Sequence, residues 1–331
     1  MLNNWQKLVC SSKELQLRGT LNGGQSFRWK NVINKNDKEE QWIGVFQNKV
    51  WFVKQHEDHL LYKVFGSFEN INSQAILKEY FRLDDVNLSH YYEKWSKIDS
   101  NFKEAAENFK GIRILKQDVV ENIFSFICSQ NNHINRISSL VEKLARLFGQ
   151  KICDIDGTAY YGFPPVEKLA DPEVEQILRE NGFGYRSKYI NKTAQAIIGN
   201  GGEEWLDKIK SMNYEDTKRN LMTLTGIGAK VADCICLMSF GHLQALPVDT
   251  HVYQIAAKYY LPKLAKQKTI TDKLYNEIGD YFRNLYGPLA GWAQTVLFCA
   301  DLKKFQEIGE KRGAKNKTSV QEAPQIKRKK P

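Results

Sequence analysis

Between residues 15 and 65 the apolar positions fall in short aromatic or β-branched runs, 26–29, 41–46, 49–53 and 60–65, broken by Asn, Gly and Asp. Runs of this length bounded by turn formers predict strands, and Gln47-Asn48 between two of them predicts a hairpin. An antiparallel sheet is therefore expected. Beyond about residue 70 the apolar period lengthens to that of a helix, over 71–81, 91–109, 118–130, 134–148, 174–181, 187–198 and 272–285. Strands followed by helices give an α+β order. We expect a sheet domain with flanking helices over 1–105 and a helical domain over 106–305, with no internal repeat.

The helical stretch 214–224 runs into Thr225-Gly226-Ile227-Gly228, and a second apolar-periodic stretch covers 229–240. This is a helix, a hairpin and a helix over 214–240. Two glycines one residue apart let the backbone turn tightly and approach another surface closely. The free amides at the start of the second helix make a phosphate site. Lys230 lies in that first turn, where the helix dipole disfavours a cation, so a functional role is indicated. Asp249, in Pro247-Val248-Asp249-Thr250-His251, precedes another apolar-periodic segment and reads as an N-cap. Capping alone would explain it, but its pairing with Lys230 suggests a cap that also serves catalysis.

The segment Leu224-Thr225-Gly226-Ile227-Gly228-Ala229-Lys230-Val231-Ala232-Asp233-Cys234, followed by Pro247-Val248-Asp249, resembles the helix-hairpin-helix glycosylase superfamily, and specifically the eukaryotic-type 8-oxoguanine DNA glycosylases/lyases. Four further segments agree in order: 24–29 (GQSFRW), 124–132 (FSFICSQNN), 182–186 (GFGYR) and 291–298 (GWAQTVLF). The resemblance implies an N-terminal antiparallel sheet domain, related to half of a TATA-box-binding fold, followed by an all-helical glycosylase domain. It implies excision of 8-oxoguanine opposite cytosine in duplex DNA, then strand cleavage by β-elimination. Lys230 would be the nucleophile that forms a Schiff base, and Asp249 would stabilise positive charge on the sugar.

Gly24, Cys234, Gln294 and Phe298 would form the base pocket, with the Gly24 carbonyl accepting from N7–H of the oxidised base and Gln294 reading its Watson–Crick edge. Tyr185 would be the wedge that fills the gap left by the flipped nucleotide, and Asn131, Arg136 and Arg186 would hold the orphaned cytosine. Gly226, Gly228 and His251 would meet DNA phosphates. The carbonyls of Met222, Leu224 and Ile227 could face a monovalent cation as in related hairpins. No catalytic metal and no cofactor is expected.

Plainer readings compete at several positions: a phosphate-contacting lysine for Lys230, a small buried hydrophobe beside the core stripe Val231, Ile235 and Met238 for Cys234, a turn for Gly24, and an N-cap for Asn131. Thr225 stands where the family usually has proline and His133 where it commonly has asparagine. The loop 21–23 is expected to be more flexible than usual.

The 331 residues carry a net charge of +10, which favours a polyanionic partner. Eight Lys or Arg against Glu322 place +7 of it in 311–331, leaving +3 for the rest. The segment 306–331 is expected to be a disordered basic tail, with Lys327-Arg328-Lys329-Lys330 as a nuclear address or a nonspecific phosphate tether. No clear mitochondrial or secretory signal is visible. No apolar run reaches the roughly 20 residues that span a bilayer, so a soluble monomer with no membrane contact is expected. The six cysteines (10, 128, 153, 234, 236 and 299) include no Cys-x₂-Cys pair, which argues against the iron–sulfur branches of the superfamily and against zinc. A monofunctional glycosylase using Asp249 with water and a noncatalytic hairpin DNA-binding protein remain as alternatives.

Overall fold

The computed structural model describes residues 4–33, 38–66, 72–266 and 269–302. The expected tail at 306–331, with its run 327–330, lies outside the described residues. Five antiparallel strands form a sheet in the order β1-β5-β4-β3-β2: β1 (Gln6–Val9), β2 (Lys30–Ile33), β3 (Glu40–Phe46), β4 (Lys49–Gln55) and β5 (His59–Phe65). Gln47 and Asn48, at φ 48° and 53°, make the tight turn between β3 and β4. Positive φ at both central residues is the hairpin geometry that matches strand twist.

Two expectations for this region are corrected. Residues 17–22 form a helix, Leu17–Asn22, capped by the Gln16 side chain, which accepts from the Gly19 amide. The loop expected at 21–23 therefore begins inside that helix. Residues 26–29 are not a strand, because side chains hold this stretch in place of a ladder. The Gln25 amide bonds the backbone at Arg113 and Leu115, and the Trp29 indole donates to Tyr80 Oη at 2.9 Å. The sheet packs Trp42, Trp51, Val53, Leu60, Tyr62 and Val64 against Leu77, Tyr80 and Phe81, with Phe46 stacked on Tyr80 at 4.0 Å.

Helices follow. Those expected at 118–130 and 134–148 form as Val119–Ser129, capped by Asp118, and Ile134–Phe148, which buries Ile137, Leu140, Val141 and Leu144. The stretch expected as one helix over 91–109 is two, Leu88–Ile98 and Ser100–Asn108. Between them Asp99 is extended and caps the second through the Asn101 amide. Their Trp95 and Phe102 pack with Tyr286 in the core of the helical part. A second hairpin, β6 (Lys151–Ile155) with β7 (Thr158–Tyr161), turns at Asp156-Gly157, both at positive φ. The helix Ala290–Asp301 is buried on nearly every side, as a helix through the middle of a core must be.

Candidate active site

The hairpin comprises Tyr214–Leu221, the turn 222–228 and Ala229–Ile235; the second helix continues as a π-helical turn, Cys236–Phe240. Asn213 caps the first helix through the Asp216 amide at 3.0 Å. Both helices are shorter in α form than the expected 214–224 and 229–240. Gly226 has φ 81°, and a Cβ there would stand 2.6 Å from Tyr189 Cδ2, so both conformation and packing require glycine. Gly228 is extended, and nothing lies within 4 Å of the position a Cβ would take. That open side is where an external surface can approach. The turn is tied to its neighbours through two carbonyls: Thr193 Oγ1 donates to Thr225 at 2.7 Å and Gln130 Nε2 to Gly226 at 2.6 Å. Leu224 O accepts from the Ile227 amide at 3.1 Å. A carbonyl has a second lone pair, so the turn is compatible with the expected monovalent ion, and the chemistry below uses none.

Lys230 reaches a cavity of ≈ 90 Å³ that Gly24, Phe126, Cys234, Met238, Asp249, Gln294 and Phe298 also line. Five separate stretches of chain thus converge on one space. Lys230 Nζ lies 5.5 Å from the centre of the Phe126 ring, and the Cys234 thiol lines the same cavity. Burial pushes that thiol up to about 11, against the opposing charge of Lys230. It is therefore a neutral wall of the cavity at pH 7 and not a rival nucleophile. Cys234 is both the buried small residue and a pocket wall, and Met238, expected only in the core stripe, lines the pocket as well.

Asp249 is the N-cap of Thr250–Ile255, accepting from the Val252 amide at 2.9 Å. Gln294 is buried, and Phe298 one turn later meets the exposed His251 ring edge-on at 5.9 Å. Gly24 has φ 76° with open space around its missing Cβ. Gln25 holds it there: its amide donates to Arg113 O at 2.7 Å and accepts from Leu115 N at 2.9 Å, while its own carbonyl accepts from Gln117 Nε2 at 2.8 Å.

Behind the pocket, the fully buried Asp233 accepts from Tyr214 Oη at 2.6 Å, Lys218 Nζ at 2.8 Å and the Tyr275 hydroxyl. This fixes the rotation of the helix that carries Lys230 and Cys234. Asp233, Gln25 and Phe126 all stand in segments singled out from the sequence, yet no role was read for them there.

The remaining expected residues form a second group. Gly182 and Gly184 have positive φ and lead into the helix Arg186–Asn200. Tyr185 is 44% exposed, and the Arg186 guanidinium lies 4.6 Å from the centre of its ring. Arg186 is buried and donates from Nη2 to the carbonyls of Gln130 and Asn131, the latter at 3.1 Å. Tyr185 Oη donates to the same Gln130 carbonyl at 3.1 Å. Arg136 Nη2 donates to Gly182 O at 3.3 Å. Asn131 is exposed with φ 44° and is not an N-cap; His133 caps Ile134–Phe148, accepting from the Arg136 amide. Gln130, whose carbonyl joins Tyr185 to Arg186, carried no signal beyond its place in the segment 124–132.

A hairpin with a lysine and an aspartate facing one cavity, in a chain that opens with an antiparallel sheet, defines a helix-hairpin-helix base-excision protein. A family model described as HhH-GPD superfamily base excision DNA repair protein matches residues 124–280. A second, described as 8-oxoguanine DNA glycosylase, N-terminal domain, matches 7–123. The chain is 37% identical over 302 residues to the N-glycosylase/DNA lyase of Arabidopsis thaliana, covering 90% of this chain and 80% of that protein. It is 37% identical over 325 residues to the N-glycosylase/DNA lyase of Saccharomyces cerevisiae, covering 89% and 86%. The fold is similar to that of the Clostridium acetobutylicum 8-oxoguanine glycosylase/lyase in complex with double-stranded DNA containing cytosine opposite 8-oxoguanine. That structure has TM-score 0.74 and 31% identity, over 86% of this chain and 91% of that one. The chain belongs to the 8-oxoguanine DNA glycosylase family.

Proposed function

We propose that this protein excises 8-oxoguanine paired with cytosine from duplex DNA and then cleaves the strand at the resulting abasic site through a Lys230 Schiff base. The observation that carries this reading is the single cavity shared by Lys230, Asp249, Gly24, Cys234, Gln294 and Phe298. An enzyme acting on a stacked, paired base needs such a pocket, a wedge and donors for the orphaned partner.

The Lys230 amine adds to C1′ as the bond to N9 breaks, and the departing base takes the bonding electrons and a proton from the added nitrogen. Asp249 stabilises the positive charge that grows on the sugar, and its cap bond to Val252 fixes where that charge is met. The C1′–O4′ bond then breaks as the nitrogen lone pair forms the imine of Lys230 with C1′, and O4′ takes the remaining proton from that nitrogen. Loss of a C2′ proton then expels the 3′ phosphate. The Gly24 carbonyl accepts from N7–H of the oxidised base and repels the N7 lone pair of guanine, while Gln294 reads the Watson–Crick edge. Phe298 and the Cys234 wall cover the base.

Tyr185 occupies the gap in the duplex, Arg186, Arg136 and Asn131 satisfy cytosine, and the amides at Gly226 and Gly228, with His251, meet phosphates. The protein acts as a monomer in the nucleus, the run 327–330 supplying the address.

Borohydride trapping on a duplex with one 8-oxoguanine opposite cytosine tests the reading. The wild-type chain is expected to give a covalent adduct and Lys230→Gln none. Base release without an adduct would instead identify a monofunctional enzyme, and tight binding without reaction a binding protein.

A further inference from the structure

Gln130 stands between the two groups of site residues. Its carbonyl accepts from both the wedge Tyr185 and Arg186. The side chain of the same residue donates to the Gly226 carbonyl of the hairpin that carries Lys230. Among the described residues, the only other side-chain hydrogen bond onto a carbonyl of 225–228, from Thr193 to Thr225, comes from the body of the helix Arg186–Asn200 and touches neither Tyr185 nor Arg186. Arg186, stacked on Tyr185, has its Nη2 on the Gln130 and Asn131 carbonyls and its buried Nε without a hydrogen-bond partner among the described residues. Its Nη1 likewise has no hydrogen bond among the described residues, and an orphaned cytosine that draws the guanidinium toward itself competes with those two carbonyls.

We infer that Gln130 is a positioning residue that couples the identity of the opposite base to the hairpin bearing Lys230. This rests on the function proposed above. While Arg186 stays on the Gln130 carbonyl, the Gln130 amide holds Gly226, and with it the start of the Lys230 helix, in the resting arrangement. When cytosine takes Arg186, the Gln130 carbonyl loses its charged donor and the segment 130–131 turns about Asn131, which is already in left-handed conformation. The amide carries that movement to Gly226. Adenine cannot take the arginine in the same way, so opposite adenine the hairpin stays at rest. Gln130 therefore acts on the rate of excision, whereas Arg186 acts on both rate and binding.

The test is single-turnover excision at saturating enzyme, together with duplex affinity, on 8-oxoguanine opposite cytosine and opposite adenine. The wild-type chain is expected to excise faster opposite cytosine. Gln130→Met keeps length and removes the donor. Its excision opposite cytosine should slow roughly tenfold, the scale of one lost hydrogen bond, and the two rates should converge while the affinity preference for cytosine survives. Gln130→Glu, which has the same shape and no donor, should do the same and serves if Gln130→Met folds poorly.

Thr193→Val cuts the other tie and should slow both rates equally. The inference is overturned if Gln130→Met keeps the wild-type rate preference, if it loses the affinity preference as Arg186→Ala should, if Thr193→Val also makes the rates converge, or if the wild-type rates are equal. A wild-type chain that does not excise 8-oxoguanine would sink the proposed function instead.

Discussion

Gly24 illustrates how one residue's backbone can serve recognition. At φ 76° its carbonyl is aimed by a conformation that costs an L-residue about 1–2 kcal/mol, yet a Cβ would meet nothing within 4 Å. Gly24→Ala is therefore free of steric clash and strained only in its torsion. The loop is pinned on its far side by three hydrogen bonds at Gln25, so the strain is relieved by rotation at residue 24 itself. The expected outcome is a protein that melts only slightly earlier but discriminates less between 8-oxoguanine and guanine. Excision rates on the two bases in the same duplex check this, and an unchanged ratio would remove the Gly24 carbonyl from recognition. Lys230 and Asp249 were legible in sequence because glycine spacing and a cap pattern are local signals. Gln130 was not: its hydrogen bond to Gly226 spans 96 positions, and no local pattern announces such a partner.

At the scale of elements, the hairpin separates two uses of glycine. Gly226→Ala combines a left-handed φ with a Cβ 2.6 Å from the Tyr189 ring. Torsion and overpacking together should cost roughly 2–4 kcal/mol. Gly228→Ala sits at φ −92° in open space, so its stability should be close to wild type. It should instead weaken DNA binding if the phosphate contact proposed for Gly228 holds, because the new methyl group would fill that open side. Thermal melts and affinity for an undamaged duplex distinguish them; equal loss of stability in both would show that Gly228 is there for folding.

The same contrast of local and distant causes explains which elements the sequence announced. The helix Ile134–Phe148 and the β3–β4 hairpin were read from periodicity and turn residues on the spot. Ala290–Asp301, buried almost all round, has no polar face to reveal its period. β1 is four residues long and is a strand because β5 offers it an edge. The Asp156-Gly157 turn was readable as a hairpin, and its two short, half-exposed strands gave too little alternation to draw attention to it.

Across the whole molecule, residues 112–115 join the two cores, with Ile112 and Ile114 in the helical core and Leu115 in the sheet core. Arg113 between them is 1% exposed and donates to the carbonyls of Glu14, Arg82 and Val86 and to the Glu14 carboxylate at 2.6 Å. Burial alone would raise the Glu14 carboxyl. Hydrogen bonds from Ser89 and Leu88, and the Arg113 charge, outweigh it and hold the group below its ordinary 4.5. A carboxyl lowered in the folded state contributes stability that is fully present above its unfolded value and is lost as pH falls through the folded one. Stability should therefore be flat from pH 7 to about 5 as far as this group is concerned, and decline below about 4.5. Glu14→Gln should be less stable than wild type by roughly 1–2 kcal/mol at pH 7, allowing for the partial exposure of the carboxylate. That difference should vanish in acid. Urea unfolding of both chains at pH 7, 5, 4 and 3 reads it directly. A constant gap at all four values would mean that Glu14 serves by packing rather than by charge. Because Gln25 is bonded to the Arg113 carbonyl, the same acid range should loosen the loop that presents Gly24, so selectivity for the oxidised base should fall before the protein unfolds.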